Sequence, residues 1–386
     1  MKRTDTITAV MVLDRWPQTL PSLLAALDPF VSKKVAVVDR SNGFTLPDGA
    51  QRRVFDAVRY TKNQTLDRLR NESLQLARQE TGSSWALVLD SDEHIDAQEL
   101  MALCQAIASY PAVSAFLLPR FNYVGRGRWA TTYSFRLFRL DEPISYSYQI
   151  HESISPSLVR NGLSWQYVGA AIQHLDFIDP VAGKRARYKA LLAEAIRKGE
   201  DLAFLNTLYA IECIWSGEQA SALQLLDEAI EFAGDRNRNL RFNGRDDFPV
   251  AAKAQLFLHC GEFSRAKPLL ERLCDNAEPR VAAEGWLGLA LIEAAQGDHA
   301  RALELIEASL ARWQTAEAVF SSAIAHCELN ELSLALRDLS CGLRLNSMAA
   351  DSRIQGEIHR ESIFALQCLL HPGYQGLPHL LRKLMR

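Results

Sequence analysis

One stretch restricts the folds open to this chain more than any other. Residues 84–89 read Ser-Trp-Ala-Leu-Val-Leu and run straight into Asp90-Ser91-Asp92-Glu93. A strand with one wet face alternates apolar and polar residues, whereas an unbroken apolar run must be covered on both faces. The run predicts a central strand of a mostly parallel sheet sandwiched between helices. It also places the carboxylates at the carboxyl edge of that sheet, where open α/β sheets bind ligands.

The flanking sequence repeats the theme. Thr8–Leu13 and Lys34–Asp39 are further apolar runs with β-branched residues, and Val54–Tyr60 is a third strand candidate. Leu20, Leu23, Leu24 and Leu27 recur at helical spacing, and Leu66–Arg78 and Ala97–Ser109 read as helices. Between Ala112 and Phe177 the pattern turns to extended segments: Ala115–Pro119, Ser134–Leu140 and Tyr146–Ile154. They are expected to complete the sheet and wall a cleft. Gly125–Thr132, with Arg126, Arg128 and Trp129, reads as a loop that is either plain surface or part of an acceptor site.

Beyond about Lys184 the chain is helical and repetitive. Gly217-Glu218, Gly261-Glu262, Gly297-Asp298 and Asn330-Glu331 each precede an alanine-bearing apolar stretch. The later intervals lie near the roughly 34-residue period of tetratricopeptide repeats, in which hairpins of helices bury their apolar faces by stacking. A polar, arginine-rich insertion, Gly234–Asp247, lengthens the first interval. The expected organisation is an α/β domain over 1–180 and an all-α repeat domain over 181–386.

Two carboxylates two positions apart can hold a divalent metal, which in turn can neutralise a diphosphate. The alternative is a solvated acidic turn that caps the next helix. The order of several motifs bears on the choice. Val37-Val38-Asp39 with Ser41-Asn42-Gly43, then Arg70-Asn71, then Asp90-Ser91-Asp92, then Arg136-Leu137-Phe138-Arg139, then Ile150-His151-Glu152 and finally His174 follow one another. In this order they resemble the family 2 glycosyltransferases of the Rossmann-like GT-A fold, including the branch with tetratricopeptide repeats behind the catalytic domain.

The resemblance implies a nucleotide-sugar donor, UDP- or GDP-linked, and a Mn²⁺ or Mg²⁺ ion. It assigns Asp14, Asp39, Arg70, Asn71, Asp90, Arg136 and Arg139 to the donor, and Asp90, Asp92 and His174 to the metal. Glu152 is implied as the base that deprotonates the acceptor in an inverting transfer, with His151 as its competitor. Many members carry Lys-Asn-Glu after the first strand; here the stretch is Leu13-Asp14-Arg15-Trp16, and Asp14 is expected to replace the acidic contact. Arg136 and Arg139 are three apart, so on a regular strand they face opposite ways and at most one reaches phosphate.

The formal net charge of −3 gives no general affinity for nucleic acid. There is no secretory leader pattern and no run approaching the roughly 18 apolar residues of a spanning helix, so a cytoplasmic protein is expected. Seven cysteines without a CxxC pair read as buried reduced thiols. The expected acceptor is a peptide, protein or cell-envelope glycan, and a homodimer is compatible with an apolar repeat surface. Two other readings remain open: a degenerate transferase whose repeats act as a scaffold, and a nucleotidyltransferase.

Overall fold

The computed structural model describes residues 6–47, 49, 54–125, 127–176, 178, 184–199, 202–233, 247–355, 380, 381 and 384. Arg126, most of the 234–247 insertion, Cys368 and the 180/181 boundary lie outside them. The chain divides into two compact units, one of residues 1–122 and 132–191, the other of 123–131 and 192–386.

The first unit is built on a nine-stranded sheet. Its strands are β1 (Ile7–Leu13), β2 (Lys33–Asp39), β3 (Ala57–Thr61), β4 (Trp85–Asp90), β5 (Glu93–His94), β6 (Ala115–Gly125), β7 (Arg128–Arg139), β8 (Trp165–Tyr167) and β9 (Ile172–His174). They run in the order β3-β2-β1-β4-β7-β6-β9-β5, with β8 beside β6. The strands β3, β2, β1 and β4 are mutually parallel, and β7 returns antiparallel to β4.

The unbroken apolar runs are explained by what covers them. Trp85, Leu87 and Leu89 pack with Met11, Leu13, Ala36 and Val38 under α1 (Leu20–Leu27) and an amphipathic helix over Ala97–Ser109. Ala86 and Val88 pack with Val10, Val35 and Val37 under Leu69, Leu74, Leu76 and Ala77 of α2 (Leu66–Glu80). Alternate residues of one strand therefore feed two separate cores, the three-layer arrangement the sequence predicts. With α3 assigned to Ala97–Ser109, a short helix α4 (Ser155–Arg160) and α5 (Lys184–Arg197) follow the sheet. Tyr146–Ile154, expected as a strand, is instead an irregular loop pinched by a Ser147–Ser153 bridge.

Among the described residues of the second unit four helix pairs succeed one another. They are α6 (Leu202–Trp215) with α7 (Gln219–Ala233), α8 (Phe248–His259) with α9 (Phe263–Cys274), α10 (Pro279–Ala295) with α11 (His299–Arg312), and α12 (Ala316–Glu328) with α13 (Leu332–Leu345). The repeated Gly/Asn-acid step ends the first helix of each pair. Gly217, Gly261, Gly297 and Asn330 all have φ between 61° and 87°. The next amide bonds back six-to-one each time: Glu218 to Cys213, Glu262 to Phe257 and Glu331 to His326 at 2.8 Å, Asp298 to Glu293 at 3.0 Å. This is the Schellman termination, which requires a left-handed residue and so selects glycine or asparagine. Between pairs the helices approach closely. A Cβ on Gly285 of α10 would sit 2.7 Å from the Cys274 amide nitrogen of α9.

The Gly125–Thr132 stretch is not a surface loop. It is the end of the β6–β7 hairpin, and Tyr123 and Trp129 are buried within the second unit. There the Tyr123 hydroxyl donates to Asn346 Oδ1 at 2.8 Å, Trp129 meets the edge of Phe320, and Thr131 donates to Glu317. Two cysteines depart from expectation: Cys104 and Cys260 are exposed, Cys260 because it caps the end of α8. No described helix is long and apolar enough to cross a membrane.

Candidate functional site

The switch point of the sheet lies between β1 and β4: the chain runs from β1 to its neighbour β2 and on to β3 on one side, then crosses to β4 on the other. Crevices open at the carboxyl edge of such a point. Two segments flank it: Asp14-Arg15 after β1 and Asp90–Glu93 after β4. Arg15 bridges them, its Nη2 lying 3.3 Å from Asp92 Oδ2.

Asp90 does not face the crevice as a free carboxylate. It accepts from Arg70 Nη2 through Oδ1 and from Arg136 Nη2 at 3.0 Å through Oδ2, with Arg120 Nη2 3.8 Å away. Glu93 is wholly buried and takes Arg136 at 2.8 Å, Arg120 at 2.6 Å and the Asp90 amide at 2.8 Å. Glu152 accepts from Arg70 Nε at 3.2 Å. Three guanidiniums from α2, β6 and β7 thus interlock with three carboxylates. Burial opposes ionisation of Asp90, and Arg70, Arg136 and Arg120 outweigh it, holding the carboxyl well below the usual range. For Glu93 desolvation prevails and pushes its pKa up despite Arg136 and Arg120.

Asp92 belongs to a second group. His174 Nε2 lies 3.6 Å from Asp92 Oδ1, a charge contact rather than a hydrogen bond. Burial would raise the Asp92 pKa; the neighbouring imidazole more than offsets it, so the carboxyl stays well below its ordinary value. The other ring nitrogen of His174 is 3.0 Å from Asn122 Oδ1. Asn122 Nδ2 points to the Arg120 carbonyl and the Thr132 hydroxyl, which fixes the amide with its oxygen toward the ring. Nδ1–H is then the donor; the imidazole lowers the Asp92 carboxyl only with a second proton on Nε2, and without it Nε2 and the carboxylate face each other as two electron-rich groups. A proton or a metal ion satisfies that pair.

Several expected residues are elsewhere. Arg139 pairs with Trp85 at the opposite end of β4, lies over its indole, and donates to the carbonyls of Val113 and Pro111. The three-residue spacing from Arg136 accounts for this, since only one of the two can face the site. Asn71 is committed to the Tyr146 backbone, donating to its carbonyl at 2.9 Å and accepting from its amide at 2.8 Å, so it anchors the loop that carries Glu152. Asp90, expected on the metal, has each oxygen on a guanidinium. Among the described residues no three His, Cys, Asp or Glu side chains surround one point. Asp14 is exposed, and its carbonyl accepts from Asn42; Asp39 Oδ1 accepts from the amide and hydroxyl of Ser41. These two close the adjoining ends of β1 and β2.

Arg120 and Tyr188 join the site without having stood out in the sequence, and Glu93 and Arg15 carry more of it than their motifs imply. Tyr188, in α5, lies 5.9 Å from the His151 ring. Its phenol is pushed up to about 12 by burial and by the carboxylates of Glu152, Asp90 and Asp92, against Arg120. His151 itself has φ 51° and Tyr148 φ 76°, both in the left-handed region, a conformation that non-glycine residues adopt at a cost of order 1 kcal/mol each.

No family model and no curated protein matches the sequence. Among solved structures, Staphylococcus aureus TarS residues 1–349 aligns over 92% of this chain and 93% of its own, with 10% identity and a TM-score of 0.32. The same protein in complex with UDP-GlcNAc gives 10% identity over 92% and 93%, and a TM-score of 0.31. The 4-diphosphocytidyl-2C-methyl-D-erythritol synthase of Anaerococcus prevotii covers 44% of this chain and 87% of its own, with 11% identity and a TM-score of 0.29. At scores of this size the reading of the site rests on its own residues.

Proposed function

We propose that this chain is a glycosyltransferase that moves a sugar from a UDP- or GDP-linked donor to a peptide, protein or cell-envelope glycan, with inversion at the anomeric carbon. The observation that carries this reading is the Asp92–His174 pair, set at the sheet switch point beside three clustered arginines. An electron-rich ligand pair next to guanidiniums suits a leaving group that departs as a diphosphate anion. The sequence resemblance to family 2 glycosyltransferases points the same way.

In this proposal Asp92 and His174 would hold a Mn²⁺ or Mg²⁺ ion, which would supply positive charge against the diphosphate. Asp14 and Asp39, at the ends of β1 and β2, face the nucleoside. The acceptor hydroxyl attacks the anomeric carbon, its proton passes to Glu152, and the bond to the phosphate oxygen breaks. Arg120 and Arg136 receive the charge that develops on that oxygen. The helix pairs of the second unit offer the tetratricopeptide-like surface for an extended acceptor or a second copy of the chain.

The rival reading, a degenerate transferase serving as a scaffold, is favoured by the guanidiniums that occupy Asp90. Calorimetric titration of UDP and GDP, with and without Mn²⁺, separates the two. Metal-dependent binding that vanishes in Asp92→Ala supports the donor site. No binding of either nucleotide under any metal condition overturns it in favour of the scaffold.

A further inference from the structure

Helix α2 presents a second polar face besides the one that carries Arg70. The parallel strand β3 ends at Thr61, so α2 begins at the same carboxyl edge of the sheet as Asp90. Arg68, Asn71, Glu72 and Gln75 follow at spacings of three and four along the helix, with Gln64 just before it, and together they line an open groove of about 420 Å³. That volume falls in the roughly 300–1,000 Å³ range of small-molecule sites. Gln64 donates through Nε2 to Glu72 Oε1 at 2.6 Å, and Asn71 is committed to the Tyr146 backbone. Arg68 and Gln75 are exposed, and no hydrogen bond or ion pair among the described residues occupies either.

The lining decides the chemistry of the occupant. Arg68 offers only donors, Glu72 only acceptors, and the Gln75 amide both. A hydroxyl donates and accepts at once, so a polyol matches this mixture. No apolar residue lines the groove among those described, so it has no pocket for an apolar peptide side chain. One guanidinium and one carboxylate cancel, so a polyanion gains no general attraction. We propose that this groove binds a neutral saccharide chain and that the chain is the acceptor of the transfer. This rests on the donor-site reading above and selects the glycan among its acceptor classes. Asn71 ties the groove to the chemistry. The side chain that lines it also holds Tyr146, at the root of the loop that carries Glu152, and the neighbouring Arg70 bonds Glu152 itself.

The test uses the full chain on a printed array of neutral oligosaccharides of varied linkage, with acidic glycans and peptides beside them. Wild type is compared with Arg68→Ala, Gln75→Ala and the double variant, and circular dichroism verifies folding. Binding to at least one neutral oligosaccharide is expected. It should weaken by about tenfold in Arg68→Ala, by about threefold in Gln75→Ala, and further in the double variant, as lost charged and neutral hydrogen bonds imply. Calorimetric titration of UDP and GDP with Mn²⁺ should be unchanged by these variants. Absence of binding to any neutral oligosaccharide overturns the inference. So does neutral-glycan binding that survives in the double variant, or binding confined to peptides or acidic glycans. Saccharide binding by a wild type that takes up neither nucleotide with any metal overturns the donor-site reading instead, and with it the acceptor role.

Discussion

Arg70 is the side chain on which the site's internal balance depends, and its removal has a calculable cost. It is 2% exposed, and it joins Asp90 through Nη2 to Glu152 through Nε at 3.2 Å. In Arg70→Met, Asp90 keeps Arg136 at 3.0 Å and is itself 27% exposed, so it loses only part of its compensation. Glu152 loses the guanidinium to which it is bonded while remaining 14% exposed. Deleting one partner of a buried ion pair costs about 3–5 kcal/mol. The retained Arg136 contact and the exposure of Asp90 bring the expectation to about 3 kcal/mol. Arg70→Lys keeps the charge but one ammonium cannot serve both carboxylates, so about 1–2 kcal/mol is expected. The double variant Arg70→Met/Glu152→Gln removes the orphaned charge and recovers about 1 kcal/mol of the loss. Urea unfolding at pH 7, read by tryptophan fluorescence with the m-value held as a control, gives each number. The pH dependence adds a second signature. The folded pKa of Asp90 is depressed, chiefly by Arg70 acting against burial. Its contribution is therefore present above the unfolded carboxylate pKa of about 3.9 and lost as pH falls through the lower folded value. The gap between wild type and Arg70→Met should narrow at acid pH. A loss below about 1 kcal/mol in Arg70→Met, or a double variant no more stable than the single, would refute the account of the network.

Four further changes have defined outcomes. Glu99, raised to about 7 by burial against the bond from the Ala171 amide, is a carboxyl whose folded pKa exceeds its unfolded one; wild-type stability should therefore fall by about 1–2 kcal/mol between pH 5 and 8, and Glu99→Gln should flatten that slope in urea titrations. Gly297→Ala meets open space but forces alanine to φ 87°, so thermal unfolding should register a loss of about 1 kcal/mol, while Asn330→Gly should gain a few tenths. Gly285→Ala places a methyl against the α9 backbone rather than a flexible side chain, and differential scanning calorimetry should show a loss of about 2–3 kcal/mol.

The central strands β1, β2 and β4 were legible because their runs are apolar almost throughout. Residues 84–89 could only be a doubly covered strand, and the carboxylates had to emerge at its edge. The parity of Arg136 and Arg139 was equally readable, since the two-residue period of a strand decides which one turns inward. Arg120 was not, because a lone arginine after Pro119 carries no local pattern; its partner Glu93 lies in another strand, 27 residues earlier in the chain. Asn71 sits in the right place for a ligand contact, but the unsatisfied backbone of Tyr146 claims its amide. The Gly125–Thr132 segment looks like a loop from its glycines and arginines. Its burial comes from helices some two hundred residues later, as the Thr131–Glu317 and Tyr123–Asn346 bonds show. The Schellman turns show the reverse, a case where a dipeptide is enough because the termination is local.

The interlocked charges have a kinetic consequence. Arg15, Arg70, Arg120 and Arg136 are matched by Asp90, Asp92, Glu93 and Glu152, so this cluster of side chains carries little net charge toward the surrounding solution. Its arginines exert their pull only on an anion already inside. A charged visitor is not drawn in from beyond a screening length of about 8–10 Å but must arrive by unguided collision, and its rate of capture should depend weakly on added salt.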